Sequence, residues 1–136
     1  MLCPVCDNVD MFVLEFERIE IDYCPGCRGV WLDSGELALI GERAGVLHGD
    51  LLGALDAQRG RRPVGRPARP CPVCGKGLVE VRTQGEQGVV VDRCPHGHGL
   101  WFDRGELEAV VEAAGADEGN VLARFFAELN APGRAP

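Results

Sequence analysis

Residues 24–37 read CPGCRGVWLDSGEL, and residues 94–107 read CPHGHGLWFDRGEL. Both stretches begin with Cys-Pro, place a tryptophan seven residues after that cysteine, and end in Asp-x-Gly-Glu-Leu. Upstream of each, the tetrapeptide CPVC stands at residues 3–6 and again at residues 71–74. Self-similarity of this kind indicates repeated structural units, so the chain is predicted to contain two copies of one module.

The segment between the paired motifs has the alternation of a β-strand. In the first copy Ile19, Ile21 and Tyr23 alternate with Glu20 and Asp22. A preceding strand is predicted around residues 11–16 and, in the second copy, around 78–83. The second copy is two residues longer, and a hairpin turn around residues 85–88 would absorb them.

Cysteines separated by two residues have the spacing of zinc ligands. The first copy contains two such pairs, which predict a closed, tetrahedral site made of thiolates alone. A site whose four positions are all filled by protein is structural, since no position is left for substrate or activated water. The predicted ligands are Cys3, Cys6, Cys24 and Cys27.

The second copy lacks one cysteine. It keeps Cys71, Cys74 and Cys94, but Gly97 stands where the fourth cysteine is expected. An imidazole reaches farther than a thiol, so His98 is predicted to complete the second zinc site, with His96 as the alternative. His98 is preferred because it lies between two glycines that let the backbone shift toward the metal. A three-thiolate zinc with an open position, as in a hydrolase, is the other reading of this site.

The cysteine content also bears on the compartment. Seven cysteines cannot all pair as disulfides, and the first residues show no basic region followed by an apolar core. No apolar run approaches the roughly 18 residues of a membrane span. The expectation is therefore a cytoplasmic protein with reduced thiolates and no membrane contact.

A helix is predicted after each tryptophan. Asp33 and Asp103 are placed as N-caps, Glu36 and Glu106 three residues later complete a capping box, and each helix should span about eleven residues. Asn120 is placed to cap a last, amphipathic helix that runs to Leu129. Each tryptophan is predicted to cover its metal site and join ribbon to helix, and an exposed aromatic binding platform is the alternative.

The fold class that follows is small, metal-bound α+β, with two tandem zinc ribbons and a C-terminal amphipathic helix. Each ribbon consists of a β-hairpin and two zinc knuckles, followed by a short α-helix. The predicted divisions are 1–45 for the first module, 46–70 for a short helix and flexible linker, 71–115 for the second module, 116–130 for the last helix and 131–136 for a disordered tail.

The charges are unevenly distributed. The net charge is −7, yet residues 59–70 hold five arginines and no acidic residue. Three prolines and two glycines in this linker predict an extended, mobile chain between independently oriented modules. Nucleic-acid binding requires basic side chains, so it is expected only through Arg59, Arg61, Arg62, Arg66 and Arg69.

The pattern CPxC, hairpin, CPxC, then G-x-W-[LF]-D-x-G-E-L resembles the transcription factor IIB type zinc-ribbon family, and residues 3–40 and 71–110 carry the resemblance. The resemblance implies two Zn²⁺ ions, one held by Cys3, Cys6, Cys24 and Cys27, the other by Cys71, Cys74, Cys94 and a further ligand. It also suggests a link to transcription.

No nucleophile–base pair, phosphate-binding loop or paired acid is recognisable in the sequence, which predicts a protein that is not an enzyme. The leading hypothesis is a zinc-stabilised adaptor for another macromolecule, a protein first and nucleic acid second. The alternative is a thiol or zinc redox sensor, or a metal chaperone, that uses the second site. A zinc hydrolase with open coordination there ranks last.

Overall fold

The structure is a computed structural model that describes residues 1–47, 50–83 and 88–131. Residues 85–87 of the predicted turn and residues 132–136 of the predicted disordered tail fall outside this range. No described helix has the length and apolar character that crossing a bilayer requires. The strands are β1 (Phe12–Phe16), β2 (Ile19–Tyr23), β3 (Val30–Asp33), β4 (Val79–Arg82), β5 (Val90–Arg93) and β6 (Gly99–Phe102), and the helices are α1 (Glu36–Arg43), α2 (Asp50–Ala57), α3 (Glu106–Ala113) and α4 (Val121–Leu129).

All six strands belong to one antiparallel sheet, in the order β1-β2-β3-β6-β5-β4. The first repeat (residues 3–43) supplies β1 to β3, and the second repeat (residues 71–113) supplies β4 to β6. They meet where β3 pairs with β6, and Trp31 lies directly opposite Trp101. The pairing is symmetric about these two tryptophans, because Val30 faces Phe102 and Leu32 faces Leu100. The repeats are therefore related by an approximate twofold axis.

The prediction of independently oriented modules is wrong. Strands β3 and β6 are not part of the predicted hairpins. Each is the third strand of its own repeat, and its outer edge pairs with the third strand of the other repeat. An unpaired strand edge leaves backbone N–H and C=O groups without partners, and the two edges satisfy one another here. The hairpin strands lie where the sequence predicts them: β2 is the alternating segment, and β1 and β4 are the preceding strands expected around residues 11–16 and 78–83.

Two glycines allow the tryptophans to interlock across this seam. A Cβ on Gly29 would overlap the indole ring of Trp101, and a Cβ on Gly99 would overlap the carbonyl oxygen of Leu32 and the ring of Trp31. Both indoles are completely buried. The Gly-x-Trp sequence in each repeat thus has a packing reason, since each glycine makes room for the tryptophan of the other repeat.

The helices form a layer on one face of the sheet, over a single apolar core to which both repeats contribute. The segment that follows each repeat also contacts the other repeat. In α4, Phe125 stacks edge-on against Phe16 of β1 at 5.3 Å between ring centroids, and Asn130 accepts a hydrogen bond from the Tyr23 hydroxyl at 2.9 Å. After α2, the amide of Gln58 bonds the backbone of Arg82 in β4.

The helix starts differ from the prediction. Gly35 and Gly105 are the N-cap residues, both at positive φ (88° and 84°), and α1 and α3 span eight residues each. The glutamates do accept from the aspartate N–H groups as a capping box requires, at 2.8 Å in both repeats. The aspartate side chains instead accept the indole N–H of their own tryptophan at 3.1 Å. The predicted cap of α4 is confirmed, because Asn120 accepts from the Ala123 N–H at 3.0 Å.

The linker is held against the second repeat over much of its length. Arg61 exchanges two backbone hydrogen bonds with Glu80 at the outer edge of β4. Farther along, Arg66 and Arg69 form ion pairs with Asp92, which is only 3% exposed. The expectation of a freely mobile linker therefore does not hold for these residues, whose side chains and backbone are engaged.

We expect Gly29→Ala and Gly99→Ala each to lower the free energy of unfolding by about 1–3 kcal/mol, the usual cost of overpacking a filled core. Urea denaturation of the zinc-loaded protein measures this. The matched control is Gly53→Ala in α2, where an added Cβ meets no atom within 4 Å. It should be neutral or stabilise by about 0.4–1 kcal/mol. Equal stability of all three variants would contradict the interlocked seam.

Candidate metal centres

The first metal centre joins the loop before β1 to the loop between β2 and β3. The sulfur atoms of Cys3, Cys6, Cys24 and Cys27 all lie within 4.8 Å of one another. Two of the sulfur–sulfur distances are 3.7 Å (Cys3 to Cys27) and 3.8 Å (Cys6 to Cys24). A tetrahedron with Zn–S bonds of about 2.3 Å has edges of about 3.8 Å, so this donor set fits zinc.

Backbone N–H groups surround the first cysteine of each pair. Cys3 Sγ accepts from the N–H groups of Val5 and Cys6, at 3.3 and 3.2 Å, and Cys24 Sγ accepts from that of Cys27 at 3.5 Å. Such bonds disperse thiolate charge and fix the direction of each ligand. This is the knuckle geometry that the CPxC motif predicts.

The second metal centre is built from Cys71, Cys74, Cys94 and His98, whose ligand atoms also lie within 4.8 Å of one another. The sulfurs of Cys74 and Cys94 are 3.7 Å apart, and the Nδ1 atom of His98 is 3.3 Å from Cys94 Sγ. Three thiolates and one imidazole form a complete tetrahedral set for a second zinc. The chain therefore has two sites suited to Zn²⁺.

A local change of turn brings His98 to this centre. In both repeats the N–H of a cysteine donates to the carbonyl oxygen of the glycine five residues later, Cys24 to Gly29 and Cys94 to Gly99, at 3.0 Å each. This hydrogen bond closes the same loop in each repeat. Within this loop, the residue at positive φ is Arg28 in the first repeat and Gly97 in the second.

The turn after Cys94 closes one residue earlier than the turn after Cys24. Gly97 N–H bonds the Cys94 carbonyl at 3.0 Å, where the first repeat uses the N–H of Arg28 to the Cys24 carbonyl at 2.8 Å. The side chain that follows the shorter turn is His98, and it faces the sulfurs. Gly97 is suited to this role because positive φ carries little steric cost for glycine.

The other predicted alternative, His96, is exposed, and its backbone N–H donates to Cys94 Sγ at 3.4 Å. The structure thus brings together the seven predicted cysteines and His98 in two groups, and it leaves the His96 imidazole out of the cluster. That His98 binds the ion stays a prediction.

Burial and backbone hydrogen bonds act on the thiols of the second centre in opposite directions. Burial raises the pKa of Cys71 to about 11. The backbone N–H of Lys76 lowers the pKa of Cys74 to about 7. A buried thiol with a raised pKa needs a cation to become a thiolate, and zinc supplies that charge.

Both metal centres adjoin one apolar cluster on the sheet face opposite the helices. The cluster contains the two seam tryptophans together with Met11 and Leu78. The prediction that the tryptophans pack against the metal sites is confirmed, but they join one ribbon to the other rather than ribbon to helix. A binding platform is wrong because neither indole is exposed. Sequence reasoning missed that the two centres share this cluster. The cysteines of the cluster are Cys3, Cys24, Cys71 and Cys94, with Cys6, Cys27 and Cys74 packed against it.

Glu106 is the candidate general base for an open zinc. Burial raises its pKa to about 7, which would suit a base, but its Oε1 atom accepts the Asp103 N–H at 2.8 Å at the start of α3. The second centre also has four protein donors rather than three. The arrangement favours a structural role for this glutamate.

A charged cluster beside the second centre was missed by the sequence analysis. Arg69 Nη1 donates to both carboxylate oxygens of Asp103 (2.7 and 2.8 Å) and to Asp92 (3.2 Å), and Arg66 Nη2 donates to Asp92 at 2.6 Å. The remaining linker arginines, Arg59, Arg61 and Arg62, are exposed. The repeated aspartates were the available signal, since Asp22 and Asp92 occupy the same position of their repeats.

Replacing His98 by alanine should weaken zinc binding at the second centre by more than about 100-fold, the upper range for groups that merely support a ligand. Against a competing chelator, His98→Ala should retain one zinc per chain. His96→Ala is the matched control and should retain two. The reverse pattern, measured by metal analysis after chelator competition, would make the assignment of His98 wrong.

Glu106→Gln should stabilise the protein, and increasingly so as pH rises. A carboxyl whose pKa is raised from 4.5 to about 7 on folding contributes stability below pH 4.5, and this contribution is lost as pH rises to about 7. Glutamine keeps the acceptor and removes the charge. Urea titration with excess zinc should show a larger gain over wild type at pH 8 than at pH 6. Burial raises the pKa of Glu36 as well, so Glu36→Gln in the first repeat should show a gain that changes with pH in the same direction. A gain for Glu106→Gln that does not change with pH would contradict the burial effect.

Comparison with known families agrees with this geometry. The model of a family described as Transcription factor zinc-finger, of zinc-ribbon type, matches residues 2–43 and again residues 70–113. No match was found among curated proteins or among solved structures. The two matched segments cover more than half of the chain and contain both metal centres. The chain therefore belongs to the transcription factor zinc-finger family, with two tandem zinc ribbons.

Proposed function

We propose that this protein is a non-catalytic, cytoplasmic adaptor whose two structural zinc ions hold a rigid sheet for binding a partner protein. The observation that carries the proposal is the completeness of both ligand sets. Four protein donors converge within 4.8 Å at each centre, so no position is reserved for water or substrate. The zinc ions then stabilise the fold, and the surface of the folded protein binds the partner.

The shared core supports a scaffold role. Both metal centres rest on one apolar cluster, and the helices of each repeat pack on the strands of the other. Structural zinc contributes on the order of 10–16 kcal/mol of apparent binding free energy in zinc-finger peptides, which exceeds what a ribbon's small core supplies. A surface built on such a frame keeps its shape when a partner binds, which limits the entropy cost of association.

Nucleic acid is the second candidate partner, favoured by one groove. This groove, between the linker and the outer edge of β4, has a volume of about 630 Å³ and is lined by four arginines. None of the four forms an ion pair within the described residues, so their charges are available to phosphate. They are Arg59, Arg61, Arg62 and Arg82.

The redox or metal-chaperone hypothesis has one point in its favour, the replacement of a negatively charged thiolate by a neutral imidazole at the second centre. It stays a prediction, as does the link to transcription. Both centres share one sheet and one cluster, so release of zinc from the second centre would loosen the seam between the repeats, while the first centre keeps its own four cysteine ligands.

Affinity capture with the zinc-loaded chain tests the adaptor proposal. We expect a specific protein to be retained after nuclease treatment and to bind again when both components are purified, as measured by calorimetry. The matched control is the triple variant Arg59→Glu, Arg61→Glu, Arg62→Glu, which should capture the same protein. Material that is lost both with nuclease and in this variant would transfer the proposal to nucleic acid. Zinc-dependent hydrolysis by the purified chain would overturn it.

A further inference from the structure

Each repeat contains a pair of aspartates at equivalent positions, and the two pairs differ in their ion-pair partners. In the second repeat, Asp92 of β5 lies opposite Trp101, and Asp103 follows that tryptophan by two residues at the end of β6. Both carboxylates therefore lie on the same face of the sheet. Arg66 and Arg69 bind them there, with four nitrogen–oxygen distances between 2.6 and 3.2 Å.

The first repeat builds the same pair of carboxylates. Asp22 of β2 lies opposite Trp31, and Asp33 follows that tryptophan by two residues. Asp33 accepts the indole N–H of Trp31 at 3.1 Å, the same distance as between Trp101 and Asp103. The placement of the two acids on the sheet is thus reproduced, down to the hydrogen bond that orients one of them.

The two pairs differ in what covers them. Asp92 is 3% exposed beneath the linker arginines, whereas Asp22 is half-buried and Asp33 is exposed. Within the described residues, no lysine or arginine nitrogen lies within 4.0 Å of either first-repeat carboxylate. The first repeat has the acidic half of the ion-pair cluster and, within the described residues, no arginine or lysine that completes it; the nearby α-ammonium of Met1 is paired with Asp10 at 3.7 Å.

The backbone shows which residue stands in place of the arginine. Leu78 N–H bonds the Arg69 carbonyl at 2.7 Å, and Met11 N–H bonds the Met1 carbonyl at 2.9 Å in the equivalent position. Met1 thus occupies the register of Arg69, but its thioether side chain cannot pair with a carboxylate. Within the described residues, no guanidinium takes the place of Arg69 beside Asp22 and Asp33.

The electrostatic setting favours a cationic ligand. Residues 1–58 carry eleven acidic and three basic side chains. Glu20 lies on the same strand face as Asp22, at a position that Val90 holds in the second repeat, so the first repeat is the more negative of the two. Of the three basic side chains, Arg28 is directed to the carbonyl of Asn130.

We propose that Asp22 and Asp33 form a docking site for an extended, arginine-bearing segment of a partner protein. The inference rests on the proposed adaptor function and names the chemistry of its partner. The linker shows the mode of binding within the same molecule, since the Arg69 guanidinium bonds both oxygens of Asp103 and one of Asp92. Arginine is preferred over lysine because a planar guanidinium can bridge two carboxylates, whereas an ammonium acts as a point charge.

The linker sequence itself is the probe. A labelled peptide with the sequence of residues 59–70 is titrated into the zinc-loaded chain, and binding is followed by fluorescence anisotropy at two salt concentrations. The double variant Asp22→Asn, Asp33→Asn should weaken binding at least about tenfold, because it removes the charge-assisted hydrogen bonds. The matched control is Glu17→Gln, Glu42→Gln, which changes the net charge equally at exposed positions of the same repeat. Zinc content and circular dichroism check that each variant is folded.

Two further measurements make the outcome decisive. A peptide with lysine at every arginine position should bind at least about tenfold more weakly if guanidinium bridging operates. Because Arg134 lies outside the described residues, the titration is repeated with Arg134→Ala to remove a competing arginine of the same chain. Absence of binding in both backgrounds overturns the docking site, as does equal binding to the Asp22→Asn, Asp33→Asn protein or of the lysine peptide. Such a result would leave the adaptor proposal standing, since the capture experiment samples the whole surface.

Discussion

The antiparallel pairing of β3 with β6 converts two small metal-dependent units into one protein. A ribbon of about 45 residues buries too little surface to fold without help. Zinc supplies part of that help, and the seam supplies the rest. It satisfies two open strand edges, buries both tryptophans and places both metal centres against one apolar cluster. The helices then close the other face over a core that neither repeat could complete alone.

Local features of the sequence predicted the parts of this fold. The cysteine spacing identified seven residues of the two metal clusters, and the position of His98 between two glycines singled out the imidazole that the structure places beside the sulfurs. Strand alternation and the Asn120 cap were equally readable, because each depends on residues only a few positions apart. These interactions leave a periodic or spaced signature in a single chain.

Interactions across the repeats left no such signature. Nothing about Gly29 alone indicates that it must make room for Trp101, and the aspartates that resemble N-caps have side chains directed to indole N–H groups instead. The arginines of the linker looked like a mobile basic segment, yet two of the five are ion-paired to the second repeat. The repeat was recognised, but the third strand of each copy was not predicted, nor that two such edge strands would pair with one another.

The packing of α4 on the first repeat has a consequence for synthesis. When the first repeat has been translated, the strand that pairs with β3 and the helix that packs on Phe16 and Tyr23 do not yet exist. The nascent half would expose an open strand edge until about 100 residues have emerged, and an apolar face until α4 (Val121–Leu129) follows; such surfaces are prone to aggregate. Zinc captured by the first four cysteines would order the first ribbon during that interval, because metal binding and folding are coupled, while the edge of β3 waits for β6.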